Sequence, residues 1–336
     1  MKILEKALII LFVIVLIYYY NIISADDIYR HIETFNYIDS TEKLANHYMY
    51  FRQNYENFIF YLVMVLVKKA NYPFVIIQII ISLGYYVIGT IFLDLQNINY
   101  KEKIFLIVIF FIVINPFYII SVLHFPFAAI FFLLAILYNL KQKKIIEILC
   151  LVLAYYTHTG ILYIICIYIL SKIKILRKIY MGRKIFFLLP LLQIIIYVYL
   201  VPIVTCVKMI FKDNIYLVNK IDAYFLDVTD NLRVYGGVGS ITLIMLIIML
   251  INCVLLSFIV TDDNDNIICF FRALILGTVI LGSISAVFFL RSSYILAILY
   301  PYVYSKIGNK NKKIILEFLS LLLFFIIEYR FVLNFR

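Results

Sequence analysis

The sequence predicts an all-α protein, a polytopic transmembrane helical bundle of about eleven spans that forms one integral membrane domain over residues 1–336. Hydrophobic residues make up 65% of the chain and charged residues only 15%, and the mean hydropathy is +1.04. These values lie far outside the range of soluble domains. Apolar runs long enough to cross a hydrocarbon core recur along the whole chain, and short basic clusters separate them.

The net charge of +11 comes from these short basic clusters, such as "KQKK" from Lys141 to Lys144. Clusters between apolar runs are typical of membrane topology signals, so no nucleic-acid partner is expected. The five cysteines have neither metal-ligand spacing nor the spacing of a disulfide framework.

The first apolar run, from Ala7 to Tyr20, predicts the first span. A cleavable signal peptide is the alternative, but Ile23 stands where a small residue would have to pair with Ala25 at the cleavage site. An uncleaved span is therefore expected.

The apolar run from Phe58 to Val67 is too short to cross, because a span needs roughly 20 residues. If this run is a re-entrant or interfacial helix, the later basic clusters all lie on the same side as the N-terminal lysines. If the run crosses, these basic clusters all lie outside the cell, against the positive-inside rule. The sequence thus predicts extracytoplasmic segments at residues 25–72 and 207–238.

The remaining spans follow from the apolar runs between the basic clusters. The predicted spans are roughly 4–24, 73–93, 104–122, 125–140, 145–157, 160–176, 185–206, 239–260, 267–289, 292–305 and 314–333.

The apolar run from Ile145 to Leu170 has basic clusters at both ends, so the chain must cross outward and return within it. The turn "THTG" divides this run. His158, in that turn, is therefore expected at the tip of a hairpin on the outer face.

Other unusual polar residues are predicted on the same side, and ionisable residues at membrane depth mark a substrate or ion path by default. They are Asp26, Asp27, Arg30 and His31 after the first span, His124 at a turn between two spans, Arg233 in a Gly-rich stretch, and Arg291 between two apolar runs.

Each of these residues also has a structural interpretation. The structural alternative for His158 is a turn histidine bonded to a backbone carbonyl, and for Arg291 an interaction with lipid phosphate. Asp26 and Asp27 are compatible with solvated positions or a helix cap. The stretch "GGVGS" is not preceded by a strand or followed by a lysine, so it indicates a flexible approach to a span rather than a phosphate loop. No metal site and no cofactor are expected, since His, Asp and Glu lack ligand spacing.

At these residues the chain resembles the Wzy/EpsG type of bacterial polysaccharide polymerases, from Ala25 to Pro301. "DIYRHIETF" resembles the D-aromatic-x-x-Y-x-x-x-F segment of that family, with Asp27 and Phe35 in place and His31 where tyrosine is usual. "VLHFPFAA" is similar to its L-R-x-x-x-A helix start, with His124 in the arginine position.

Two later segments continue the resemblance in the same order. "LAYYTHTGIL" is similar to the L-A-x-x-F-H-x-S-A-L segment, with Ala154 and His158 in place and Gly160 as the small residue. "RSSYILAILYP" is similar to a late R-x-x-Y-F segment before a proline and begins at Arg291.

The resemblance implies a GT-C-like, metal-independent membrane glycosyltransferase that extends O-antigen, capsule or exopolysaccharide chains. It implies undecaprenyl-pyrophosphate-linked glycans and membrane lipid as partners, with a flippase and a chain-length regulator as further candidates. In that chemistry His158 or Asp27 is a candidate base and Arg291 a catalytic cation. The implied substrate-binding residues are His124, Arg233, Asp26, Arg30 and His31. The expected location is the bacterial inner membrane.

Two other classes of function fit a polytopic membrane protein. A lipid-linked oligosaccharide flippase would show an internal repeat and charged residues in both membrane halves, whereas the polar cluster here is one-sided. A membrane sugar O-acyltransferase also uses a lone histidine, but would need cationic residues converging from the inner face.

Overall fold

A computed structural model describes residues 26–38, 57–95, 123–174, 204–214, 253–260, 265–282, 286–308 and 313–318, with residues 102, 106, 176, 177, 195, 199, 202, 218, 250, 251 and 311. The regular secondary structure in these ranges is helical, and they contain no strand. The all-α prediction is confirmed.

The chain forms two compact units, Met1–Leu95 with Ile114–Ile165 and Gln96–Val113 with Cys166–Arg336. The helices of the first unit are α1 (Asp26–Tyr37), α2 (Phe58–Lys69), α3 (Val75–Asp94), α4 (His124–Leu140) and α5 (Lys144–Thr157), followed by a 3₁₀ turn (Thr159–Ile161). Helix α6 (Leu162–Ser171) contains the boundary between the units, and the second unit holds α7 (Asn266–Gly282) and α8 (Ala286–Ser305).

Among the described residues, α3 alone is both long enough and apolar enough to cross a membrane. Three shorter apolar helices cover His124–Leu140, Thr159–Ser171 and Asn266–Leu281. The predicted span 4–24 lies outside the described residues, as do 104–122 apart from Leu106 and most of 185–206.

Helix α2 corresponds to the short run that the sequence predicted not to cross. Its 12 residues extend about 18 Å, against about 30 Å for a hydrocarbon core. The helix begins after Asn57, whose φ is 62°, and a turn through Asn71, with φ 59°, leads into α3. The turn after α2 thus connects α3 to a helix that is too short to span.

Helices α4 and α5 form an antiparallel hairpin around a turn in which Gln142 takes a φ of 57°. The side-chain amide Nδ2 of Asn139 donates to Oε2 of Glu147 at 2.8 Å and ties the two helices together beside this turn. The Glu147 carboxylate lies in the first turn of α5, where the helix dipole favours negative charge.

Helices α3 and α4 run in the same direction. A Cβ at Gly84 would lie 3.0 Å from Cδ1 of Ile130, so the two helices approach closely there. Earlier in both helices, apolar residues from α1 to α4 share one core cluster, which contains Phe35, Phe60, Met64, Phe74, Ile77, Ile81 and Leu123. This cluster packs α1 and α2 beside the starts of α3 and α4.

In the second unit, α7 and α8 pack together, and Asp265 caps α7. Its Oδ1 accepts from the backbone N–H of Ile267 at 2.8 Å, and its Oδ2 accepts from the Tyr302 hydroxyl at 2.6 Å. The fully buried Arg272 donates through Nη2 to the backbone oxygens of Ser257 at 2.9 Å and Val260 at 2.6 Å. These contacts attach α7 to α8 and to the helical segment 253–259.

Candidate functional site

Three histidines come from three elements of the first unit and meet at one end of the α4–α5 hairpin. His31 lies in α1, His124 is the first residue of α4, and His158 directly follows α5. Because α4 and α5 are antiparallel, the start of one and the end of the other lie at the same end of the hairpin. Lys141 and Lys144 lie at the opposite end.

The three imidazoles are arranged around His124. Ring centroids are 4.3 Å apart for His31 and His124, with an interplanar angle of 81°, and 6.1 Å apart for His124 and His158, at 84°. Both pairs are edge to face, a favourable arrangement for aromatic rings. His124 thus lies between the other two imidazoles.

Aromatic rings enclose this histidine cluster, which we define as His31, His124 and His158. The Phe60 ring lies 4.1 Å from His124 and 5.5 Å from His31, and the Tyr61 ring lies 6.1 Å from His124. On the other side, the Phe125 ring lies 5.9 Å from His158. Such walls lower the local dielectric and strengthen electrostatic interactions at the site.

Exposure differs within the cluster. His31 is 3% exposed and His124 8%, whereas His158 is partly exposed. A ligand that approaches this end of the hairpin therefore meets His158 first. His124 packs against His158, and His31 packs against His124.

Local backbone geometry places His158 at this position. Helix α5 ends at Thr157, whose hydroxyl donates to the backbone oxygen of Leu153 at 2.7 Å, and His158 then takes an extended conformation with φ −160° and ψ 114°. The backbone N–H of Gly160 donates to Nδ1 of His158 at 3.0 Å. The imidazole therefore caps the 3₁₀ turn that leads into α6.

Lys68 holds α1, and with it His31, against α2. Its Nζ donates to the backbone oxygens of Phe35 at 2.8 Å and Asn36 at 2.5 Å, and lies 5.7 Å from the centroid of the Phe35 ring. A cation suits the last carbonyls of a helix. The sequence analysis did not predict this role. A lysine in the last turn of a short helix could have indicated it.

The other predicted site residues are distributed more widely. Asp26, Asp27 and Arg30 belong to α1, and Asp27 precedes His31 by four residues, about one helical turn. Arg233 lies outside the described residues. Arg291 belongs to the second unit, inside α8 rather than between two helices, and is partly exposed.

The described part of the chain contains no group of three His, Cys, Asp or Glu residues arranged to hold a metal ion. What the histidine cluster offers is hydrogen bonding. With Nδ1 of His158 accepting from Gly160, the neutral imidazole carries its proton on Nε2.

Comparison with known proteins assigns the chain to no group. No protein-family model, no curated protein sequence and no solved structure matches it. The resemblance to polysaccharide polymerases therefore depends on the four sequence segments that carry it.

Proposed function

We propose that this protein is a multi-pass membrane glycosyltransferase of the inner membrane, with about eleven spans, that polymerises undecaprenyl-pyrophosphate-linked oligosaccharide repeat units. The observation that carries the proposal is the meeting of His31, His124 and His158 at one end of the α4–α5 hairpin. All three lie in segments that resemble the polymerase family. The function is thus inferred from the placement of those segments.

The basic residues of the hairpin predict which side of the membrane the histidine cluster faces. Lys141 to Lys144 occupy the end of the hairpin opposite the histidine cluster. By the positive-inside rule the basic end is cytoplasmic, so the histidine cluster faces outward. Surface polysaccharide is polymerised from lipid-linked units on that face, which agrees with the proposed reaction.

In this reaction a hydroxyl of the acceptor sugar attacks the anomeric carbon of the donor glycan. The new glycosidic bond forms as the bond from that carbon to the pyrophosphate oxygen breaks. The hydroxyl proton passes to a base, for which Asp27 and His158 are the candidates, and undecaprenyl pyrophosphate leaves with the bonding electron pair. Cationic and hydrogen-bonding groups, with Arg291 and Arg233 proposed among them, stabilise its developing negative charge.

The test is deletion of the gene, followed by gel analysis of surface glycan. Loss of a polymerase leaves single repeat units at the surface, whereas loss of a flippase leaves none. Complementation with the wild-type gene should restore a ladder of long chains. Unchanged ladders in the deletion strain would exclude the proposed function.

Variants then connect the activity to the site. His158→Ala and Arg291→Ala should each abolish the ladder at normal protein abundance, since losing one such contact costs about 3 kcal/mol of barrier. Tyr156→Phe is the matched control, because Tyr156 is exposed and close to the turn but outside the cluster. A full ladder from His158→Ala would leave His158 without a catalytic role, and a full ladder from Arg291→Ala would do the same for Arg291.

A further inference from the structure

Helix α3 buries two polar side chains that lie one helical turn apart. Gln78 is 1% exposed, and Ser82 is fully buried. Residues four positions apart lie on the same face of a helix, so the amide and the hydroxyl are neighbours. Buried polar atoms in proteins are nearly always hydrogen-bonded, and an unpaired one is especially unfavourable in a helix apolar enough to cross a membrane. Each of the two side chains is therefore expected to have a polar partner.

Within the part of the chain that the structure describes, these two side chains have no such partner. Nε2 of Gln78 and Oγ of Ser82 are both buried without a hydrogen bond there, and they do not bond to each other. The amide nitrogen is only a donor, whereas the hydroxyl can both donate and accept. A group that joins them must therefore accept from Gln78, and it can bond to Ser82 in either direction.

The Ser82 hydroxyl also lacks the bond that hydroxyls in helices commonly make. Elsewhere in the described helices, hydroxyls donate at 2.6–2.8 Å to the backbone oxygen three or four residues earlier, as at Thr90, Thr157, Ser257 and Thr278. Thr90 does so within α3 itself. The backbone oxygen of Gln78 lies four residues before Ser82, yet Oγ of Ser82 is not bonded to it. The hydroxyl is therefore turned towards a different partner.

We propose that Gln78 and Ser82 bind one buried water molecule between them. Cβ atoms four residues apart on a helix lie about 5–6 Å from each other, and such side chains can be joined through one water oxygen by hydrogen bonds of about 2.8 Å. The water accepts from Nε2 of Gln78 and shares a second hydrogen bond with Oγ of Ser82. Two polar partners are enough for a buried water.

The size and charge of the ligand favour water over other polar groups. The burial of both side chains leaves no approach for a sugar or a lipid headgroup. Both side chains are neutral, so an ion held between them would be buried without an opposite charge. The amide N–H groups of Gln78 would in addition repel a cation. Water is small and neutral, and it satisfies a donor and a hydroxyl at once.

This water site lies in the half of α3 that is nearer to the histidine cluster. Ile77 and Ile81, each adjacent in the chain to one of the two polar residues, belong to the core cluster that contains Phe60. The Phe60 ring in turn packs against His124. The first half of α3 therefore contains bound water at the same end of the first unit as the candidate site. This inference does not depend on the proposed glycosyltransferase function.

The experiment is X-ray radiolytic labelling of the purified full-length protein without substrate, read by mass spectrometry. Radiolysis of a bound water forms a hydroxyl radical in place, which modifies neighbouring side chains that bulk solvent does not reach. Tyr86, which is 1% exposed and lies one turn after Ser82, is the reporter. We expect Tyr86 to be labelled in the wild type and the label to be lost when Gln78→Leu and Ser82→Ala are combined.

Ser257→Ala is the matched control for Ser82→Ala. It also removes a buried serine hydroxyl, but one that already donates to the backbone oxygen of Val254 at 2.8 Å. Labelling of Tyr86 should therefore be the same in Ser257→Ala as in the wild type.

Thermal unfolding of the same variants is the second measurement. Gln78→Leu and Ser82→Ala should each lower the melting temperature, because each leaves the water and the other side chain short of a hydrogen bond. The double variant should lower it by less than the sum of the two single shifts, since both side chains bind the same water.

Three results would each overturn the proposal. An unlabelled Tyr86 in the wild type would mean that a group of the protein, rather than water, bonds to Gln78 and Ser82. Labelling that persists in the double variant would place the water elsewhere, and additive shifts in melting temperature would show that the two side chains share no ligand. The wild-type measurement does not depend on the folding of any variant. Since polymer formation is not measured, failure of the proposed function would not affect the outcome.

Discussion

The imidazole of His124 lies edge-on to the ring of Phe60, with 4.1 Å between ring centroids and an interplanar angle of 83°. His31 packs at 4.3 Å against the same imidazole. A residue in the position where the resembling family usually has arginine is therefore enclosed by rings. Any replacement must fit the space between Phe60 and His31.

His124→Leu is expected to fold, since it roughly preserves volume, and to lose most polymerisation if the site needs a polar or cationic group there. His124→Arg alone should reduce protein abundance, because a longer side chain overpacks the site by about 1–3 kcal/mol. Adding Phe60→Ala makes room, so the double variant should be more active than His124→Arg. Phe60→Ala alone is the control, and glycan ladders from the Leu variant would contradict a polar role for His124.

Lys68→Met should destabilise the first unit by about 2 kcal/mol, since the Phe35 and Asn36 carbonyls lose a charged donor at the end of α1. Lys69→Met is the matched control, because Lys69 is the exposed neighbour in the same turn of α2. Thermal unfolding in detergent gives the stability, and limited proteolysis reports on α1. Equal effects of the two substitutions would refute the capping role. A selective loss of activity in the Lys68 variant would show that α1 must be held in place.

Arg272→Met should lower the free energy of unfolding by about 2–3 kcal/mol, because the backbone oxygens of Ser257 and Val260 lose their donor in a fully buried place. Arg272→Lys, with a compact ammonium in place of the planar guanidinium, should recover only part of that loss. Arg177→Met is the control, since its hydrogen bond to Asn266 is solvent-exposed. The measurement is thermal unfolding, and an unchanged melting temperature for Arg272→Met would contradict the prediction.

The proposed topology places Gln142 in the cytoplasm and Thr159 outside. A cysteine introduced at Thr159 should react with an impermeant thiol reagent in intact cells, and one at Gln142 only after the cells are opened. The native thiols must first be replaced, above all the exposed Cys166 and Cys206. Labelling at Gln142 but not at Thr159 in intact cells would reverse the topology and move the histidine cluster to the other side.

The helices α3, α4 and α5 could be predicted closely from the sequence. Predicted spans at 73–93, 125–140 and 145–157 correspond to helices Val75–Asp94, His124–Leu140 and Lys144–Thr157. Each is an apolar run bounded by charged or turn-forming residues. The one-residue accuracy at Lys144 reflects the short turn, residues 141–143, between two such runs.

The start of helix α8 was predicted less accurately from the sequence. Its predicted span began at residue 292, whereas the helix begins at Ala286 and continues through Arg291. Arginine has a high helix propensity, so a charge inside an apolar sequence need not mark the end of a helix. The charge pattern alone could not distinguish a turn at Arg291 from a helix that contains it.

The sequence by itself determined the all-α class, the short helix α2 and the turn at His158, because hydropathy, run length and local turn residues are properties of neighbouring positions. Only the tertiary structure decided that His31 contacts His124, that Phe60 encloses both, and that Lys68 caps α1. Helices α1 and α4 are far apart in the chain, and the carbonyls that Lys68 binds belong to the backbone, which has no sequence signature. The hydrogen bond from Gly160 to His158 was likewise decided by the conformation of the turn, since either imidazole nitrogen could have accepted it.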